Sequence, residues 1–281
     1  MMVMDYDESR LLLVLQVDHS HVAGFLGAHW GNSRFARPEP FASVVLAGQE
    51  HDGGWLDWEM KPSVLSDRGY PLDYHDGSLR YLRRARLDFY SSAVRRVSKR
   101  DPYAALLILM HGVGLMNSHY GRVKYPPDRS SDPLVKEYLD DQEQVRLNLL
   151  DQLQGSREFQ RFCTEERIWI NLDTMETFDK IAQYVCNRYP LNSKARKNGP
   201  SNSLNDVLVP VKPGAEHVRM QIDPVADHRA VIQPYPFDVD PLVVSYPARL
   251  VPKRTYTDTE SFVEEFYRAE RITVAHTLAS A

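Results

Sequence analysis

Several features that would place this 281-residue chain in a familiar class are scarce or missing. It has two cysteines, Cys163 and Cys186, which form no close pair and fit no zinc-ligand spacing. Such usage suits a reducing compartment, with each cysteine a small buried hydrophobe rather than a reactive thiol. No apolar run approaches the roughly 18 residues of a membrane span, and the apolar segment 11–15 follows acidic residues rather than basic ones. We therefore expect a cytoplasmic protein with no membrane partner.

An excess of charge of one sign is also lacking. The net charge is -4 at pH 7, and the pI is near 6.2, so the chain as a whole has no basic footprint for nucleic acid. Basic residues are dense only between residues 80 and 100, where they either attract an anionic substrate or form a solvated helix face. Residues 112–114 lack the rest of a phosphate-binding loop, and no nucleophile-elbow motif is present. A small-molecule substrate is the expected partner.

Hydrophobic periodicity predicts helices in the first two thirds of the chain. Asp101-Pro102 and Asp132-Pro133 are typical helix starts, with an N-cap aspartate before a proline at the first helical position. Asp18 is the expected cap of the first helix, whose inner face includes His19. The predicted helices cover residues 18–30, about 40–51, 78–97, 103–117, 133–154 and 173–189.

The last third reads as short strands bounded by proline, glycine or aspartate. The expected fold class is mainly α: a helical domain over residues 1–190, then a small β-rich C-terminal lobe over residues 206–281 packed on it. Residues 191–205 are polar and form a linker or exposed loop. The proline-rich segment 233–241 could be a lid, a connection or a dimer contact. A homodimer is therefore one of the alternatives.

A His-Asp pair at the end of a helix is the strongest chemical signal. His51 and Asp52 follow an apolar helical stripe, and side chains about 100° apart can give one metal an imidazole nitrogen and a carboxylate. A site of this HD type also needs a histidine from an earlier helix and an aspartate from a later one. A second pair, His75-Asp76, lies in a loop rich in proline and glycine, and we interpret it as surface or rim.

An ordered set of segments resembles one family over nearly the whole chain. The segments are residues 16–19, 28–30, 49–52 with Trp55, 104–112 and 178–186, and together they look like the DUF3891 family of uncharacterised proteins. That family resembles HD-domain proteins in having a histidine, then His-Asp, then a late aspartate. The resemblance therefore implies an HD-like helical bundle with a metal site.

Carried over by position, the ligands implied are His19, His51, Asp52 and Asp179, with His111 as a fifth. Each has a structural alternative: a surface position for His19 beside a capping Asp18, a core histidine for His51 or His111, and a salt bridge for Asp179. His21 and His29 are alternatives to His19 as the first metal ligand, or residues that support the ligands from behind. His119 has no counterpart in the family. Four further side chains could touch substrate: Trp30, Trp58, Arg83 and Arg86. Trp55 either forms a wall of the same pocket or packs in the core.

Three functions follow from this reading. The leading one is a metal-dependent hydrolase of a phosphoester, using a water activated by one or two ions of Mn, Mg, Ni or Zn. The alternative is a non-haem di-iron oxygenase, with Fe and a small organic substrate. The third is a non-catalytic protein that binds a metal or a ligand.

Overall fold

The computed structural model describes residues 1–62, 65–74, 82–118, 128–188 and 203–281. The helices of this part are α1 (Gln16–Ala28), α2 (Phe41–Glu50), α3 (Leu56–Glu59), α4 (Arg83–Ser98), α5 (Pro102–Asn117), α6 (Pro133–Gln154), α7 (Glu165–Cys186) and α8 (Thr259–Arg268). The strands are β1 (Met2–Asp5), β2 (Arg10–Val14), β3 (Leu204–Val209), β4 (Val218–Ala226), β5 (Arg229–Gln233), β6 (Leu242–Pro252) and β7 (Glu270–Ser280). In this part of the chain, no helix is long and apolar enough to cross a membrane.

The described strands form one mixed sheet in the order β1-β2-β6-β7-β5-β4-β3. Among the strands that the structure describes, only the β5–β7 pair is parallel, and the other neighbours are antiparallel. The N-terminal strands join strands from the far end of the chain, with Leu12 opposite Leu250. The sheet is therefore built from both ends of the sequence.

The expectation of a mainly helical, HD-like bundle with a small β lobe behind it is wrong. The apolar segment 11–15 gives no clear strand signal, because its apolar residues do not alternate with polar ones. In the structure Met2–Asp5 and Arg10–Val14 are strands, and they extend the C-terminal strands into one sheet that has seven strands among the described residues. The boundaries expected at residues 190 and 206 stay a prediction, and residues 191–202 of the expected linker lie outside the described residues.

Helix starts follow the local chemistry that the sequence indicated. The Asp101 carboxylate accepts a hydrogen bond from the Ala104 amide, and Asp132 does the same for Leu134. Asp18 is not a cap, because α1 begins at Gln16 and the amides of Gln16 and Val17 donate to the buried Glu59 carboxylate. Glu59 is remote in sequence, so this cap depends on the tertiary fold.

Helix α5 lies at the centre of the helical layer. Residues 103–109 are all buried, as expected for a helix that is apolar nearly all round. Its neighbours are α2, α4, α6 and α7, while α1 packs against α2, α7 and strand β6. One core cluster runs through these helices and one face of the sheet, and this arrangement brings the ends of α2, the start of α1 and the middle of α7 together.

Candidate metal centre

Four potential ligands from three separate segments converge in the helical layer. His19 lies on α1, His51 and Asp52 follow the last turn of α2, and Asp179 lies on α7. The Nε2 atom of His19 is 2.8 Å from Asp179 Oδ1 and 3.9 Å from Asp52 Oδ2. The Nε2 atom of His51 is 3.4 Å from Asp179 Oδ1 and 3.6 Å from Asp52 Oδ2.

The spacing of these atoms is compatible with ligands of a shared cation, and the 2.8 Å contact is also within hydrogen-bonding distance. Neither imidazole Nε2 makes a hydrogen bond to any residue that the structure describes, although carboxylate oxygens are this close. Neighbouring ligands about 2.1 Å from one ion are about 3.0–3.4 Å apart in octahedral or tetrahedral geometry. His19, His51 and Asp179 each have a ligand atom within 4.8 Å of the others, so these three could hold an ion, with Asp52 beside them.

The cluster is shielded from solvent. Relative exposure is 0% for His19, 1% for His51 and Asp179, and 7% for Asp52. Buried carboxylates and imidazoles need compensating charge or hydrogen bonds, because desolvation penalises every ionised group. Asp52, the most exposed of the four, marks the side of the cluster that is closest to solvent.

The turn after α2 fixes the orientation of His51. Its Nδ1 lies 2.8 Å from the carbonyl oxygen of Gly48, so Nδ1–H is the donor and Nε2 is directed at the carboxylates. The backbone of Gly54 passes very close to α4, since a Cβ on residue 54 would lie 1.9 Å from the Phe89 carbonyl oxygen. The backbone can take this course after Asp52 only because residue 54 has no side chain.

Amide side chains support both carboxylates. Gln16 Nε2 donates to Asp52 Oδ2 at 3.2 Å, and Gln183 Nε2 donates to Asp179 at 3.1 Å. Neutral donors of this kind orient a carboxylate without cancelling its charge. The two amides therefore hold both carboxylates in position without adding a positive charge beside them.

Electrostatics couple the imidazoles to the carboxylates. Burial opposes the charged form of His51, but Asp52 and Asp179 outweigh it and raise the pKa of His51 to about 9. Burial also disfavours the charged form of Asp179, yet His51 and His19 hold the pKa of Asp179 well below its ordinary value. Asp179 is thus an ionised carboxylate, and His51 in the metal-free protein carries a proton that a cation would replace.

His111 and Glu176 lie immediately beside this cluster. The ring of His111 on α5 is 5.2 Å from that of His51, edge to face. Its Nδ1 is 3.4 Å from Oε1 of Glu176, which is completely buried on α7 one turn before Asp179. His111, the expected fifth ligand, is thus adjacent to His51, and it faces a carboxylate that the sequence analysis did not single out.

Arg86 and Tyr90 of α4 lie towards the same cluster. Arg86 Nε donates to the Tyr90 hydroxyl at 3.2 Å. Burial lowers the pKa of Arg86, but Tyr90 and Asp52 outweigh it and the pKa lies above its ordinary value. Burial raises the pKa of Tyr90, and the charges of Asp52 and Asp179 act in the same direction. Arg86 and Tyr90 are therefore within electrostatic range of Asp52, the more exposed carboxylate.

The other candidate histidines lie elsewhere. His21 is exposed and borders a small cavity with Phe25 and Ser245. His29 is partly exposed, and its Nδ1 lies 2.9 Å from Asp238 at the protein surface. His75-Asp76 and His119 lie outside the described residues.

The structure separates the tryptophans that were expected to wall one pocket. Trp30 is buried against Phe178 and Phe237 in the main core. Trp55 and Trp58 pack on each other and on Phe89, next to the turn that carries Asp52. The expected grouping of three tryptophans around one substrate is therefore not present, and Trp30 is a core residue.

Arg83 and a large cavity between helices also lie away from the carboxylates. Arg83 pairs with Asp132 at the start of α6, where both side chains are partly exposed. A cavity of about 700 Å³ is lined by α5, α6 and α7, including Met110, Arg146 and Trp169. Its lining contains none of the four ligands, so the cluster is not the floor of this cavity.

Three supporting residues escaped the sequence analysis. Glu176 shares a helix face with Asp179 at a spacing of three, which is a usable signal. Gln16 lies three residues before His19, and Gln183 four residues after Asp179, so both also share their helix faces. A search for polar residues three or four positions from each ligand would have found all three.

The fold and the cluster together define a protein with a buried carboxylate–imidazole centre between helices, packed on a mixed sheet. The chain belongs to the family described as "Protein of unknown function (DUF3891)", whose model matches residues 1–253. No curated protein and no solved structure matches the chain.

Proposed function

We propose that this chain is a metal-dependent hydrolase of a phosphoester, with a divalent cation bound by His19, His51, Asp52 and Asp179. The observation that carries the proposal is the convergence of four buried side chains, in which each imidazole Nε2 lies 2.8–3.9 Å from an oxygen of both carboxylates. Two nitrogen and two oxygen ligands suit Mn, Fe, Ni, Zn or Mg. Four protein ligands also leave coordination positions for water and substrate.

A bound cation supplies two effects: it lowers the pKa of a water and stabilises negative charge on the substrate. The protein residues supply the rest. Hydrogen bonds from Gln16 and Gln183 keep Asp52 and Asp179 in place, and the Gly48 carbonyl keeps the His51 lone pair directed inward. Such preorganisation reduces the motion needed when a substrate arrives.

Arg86 is the residue that best fits an anionic substrate. Its guanidinium interacts electrostatically with Asp52, the more exposed carboxylate, and its Nε donates a hydrogen bond to the Tyr90 hydroxyl. A planar guanidinium can hold two phosphoryl oxygens at once. Arg83 is less suitable, because Asp132 already neutralises it at the surface.

The test is Asp179→Asn, compared with Asp57→Asn on the exposed side of α3 as the matched control. The elemental metal content of each protein, purified without chelators, is measured alongside hydrolysis of phosphomonoester and phosphodiester substrates. We expect Asp179→Asn to lose both the metal and at least a hundredfold in turnover, and Asp57→Asn to keep both. Metal-loaded wild type that hydrolyses no phosphoester would refute the hydrolase assignment.

An oxygenase of a small organic substrate is the second candidate. The observation that favours it is the position of His111, whose ring lies 5.2 Å from His51 and offers a further nitrogen ligand. A protein that purifies with iron, and consumes oxygen when reduced, would support this reaction class over hydrolysis. The non-catalytic function would be supported instead if His51→Ala lost both the metal and the fold, and if the wild type showed no turnover.

A further inference from the structure

We infer that Glu176 and His111 form a second divalent-cation subsite next to the first. The inference rests on the proposed metal centre and extends it from one ion to two. Two similar pairs are present, and in each an imidazole faces a carboxylate of α7. His51 faces Asp179 at 3.4 Å, and His111 faces Glu176 at 3.4 Å.

The strongest observation is the condition of the Glu176 carboxylate. Glu176 is 0% exposed, and neither of its oxygens accepts a hydrogen bond from the residues that the structure describes. The His111 Nδ1 atom lies 3.4 Å from Glu176 Oε1, at ion-pair distance. A buried carboxylate is stable only if a cation, hydrogen bonds or a proton compensates it.

Helix geometry places the two subsites side by side. Glu176 and Asp179 are three residues apart on α7, so both carboxylates lie on one face. The rings of His111 and His51 are 5.2 Å apart, which connects the two imidazole–carboxylate pairs across α2 and α5. Paired catalytic metals are typically about 3.5–4 Å apart, a scale that matches neighbouring ligand pairs of this kind.

The composition of the subsite points to a hard or borderline cation with an open coordination shell. One carboxylate and one imidazole leave the remaining positions to water or to substrate oxygens, as Mg²⁺ and Mn²⁺ accept readily. A protonated Glu176 is the competing account, since burial raises the pKa of Glu176 and the nearby His111 only partly offsets it. Metal stoichiometry separates the two accounts.

The experiment titrates chelator-stripped protein with Mn²⁺ alone and counts bound ions from the free Mn²⁺ signal in electron paramagnetic resonance. We expect two Mn²⁺ per chain in wild type and one in Glu176→Gln, with the signature of two coupled ions lost in the variant. Glu166→Gln is the matched control, because it removes an exposed carboxylate from the same helix and should leave two. Far-UV circular dichroism checks folding, and His111→Gln provides a second variant that should also bind one ion.

One Mn²⁺ in wild type up to millimolar concentrations, or two in both Glu176→Gln and His111→Gln, would overturn the inference. Failure of the hydrolase proposal looks different. Two ions with no phosphoester turnover would leave the second subsite standing, whereas one ion with full turnover would remove the subsite and leave the hydrolase.

Discussion

Proton competition at His51 should make metal binding strongly dependent on pH. Asp52 and Asp179 raise the pKa of His51 to about 9 in the metal-free protein, against the effect of burial. A cation can coordinate only the neutral imidazole, so binding must release this proton. At pH 7, two units below that pKa, the competition weakens metal affinity about a hundredfold relative to its value above pH 9.

The same shift predicts the opposite trend for stability without metal. The folded pKa of His51 lies above its ordinary value of 6.5, so its stabilisation is fully present below pH 6.5. It is lost as the pH rises through 9, and a shift of this size corresponds to about 3 kcal/mol. Metal-free protein should therefore weaken from pH 6.5 to 9, while protein with excess metal should hold or gain stability.

Isothermal titration of stripped protein with Mn²⁺ at several pH values tests this reasoning. Buffers with different ionisation enthalpies report the protons released, and we expect about one from His51 per ion bound at pH 7. Urea unfolding with and without metal follows the second trend. Affinity that is flat between pH 6 and 9, with no proton release, would refute the coupling between His51 and the two carboxylates.

Three further predictions concern the fold around the centre, each measured by urea unfolding. Gly54→Ala should cost about 3 kcal/mol and lower metal content, because the added Cβ meets the Phe89 carbonyl oxygen; an unchanged midpoint would contradict the close approach. Asn171→Ala should cost about 1–3 kcal/mol, since Asn171 Nδ2 donates to the buried Tyr103 hydroxyl and to a backbone carbonyl. Asp238→Asn should cost less than about 1 kcal/mol, because its ion pairs are partly exposed; a larger loss would assign these surface pairs an unexpected role.

The sequence determined those elements whose signals are local. Asp101-Pro102 and Asp132-Pro133 fixed the starts of α5 and α6, because capping chemistry depends only on neighbouring residues. The apolar stripe of α1 predicted that His19 faces inward, and the structure buries it while His21 is exposed. His51-Asp52 stood out for the same reason, as a polar pair at the end of an apolar helix.

The sheet could not be predicted in this way, because β2 is buried on both faces. Leu12 and Val14 belong to the main core, whereas Leu11 and Leu13 pack with Phe262 and Phe266 of α8 on the other side. A strand covered on both faces shows an unbroken apolar run without alternation, and such a run cannot be told from a buried helix segment by periodicity. Its partner β6 is more than 200 residues away, so only the tertiary structure decided the fold class.

The same distinction between local sequence and tertiary packing applies to the candidate site. The residue types and their order along the chain indicated His19, His51, Asp52 and Asp179, but their distances follow from the packing of α1, α2 and α7. Packing also separated Trp30 from Trp55 and turned Arg83 towards Asp132. Local sequence sets which side chains a helix offers on each face, and long-range packing sets which faces meet.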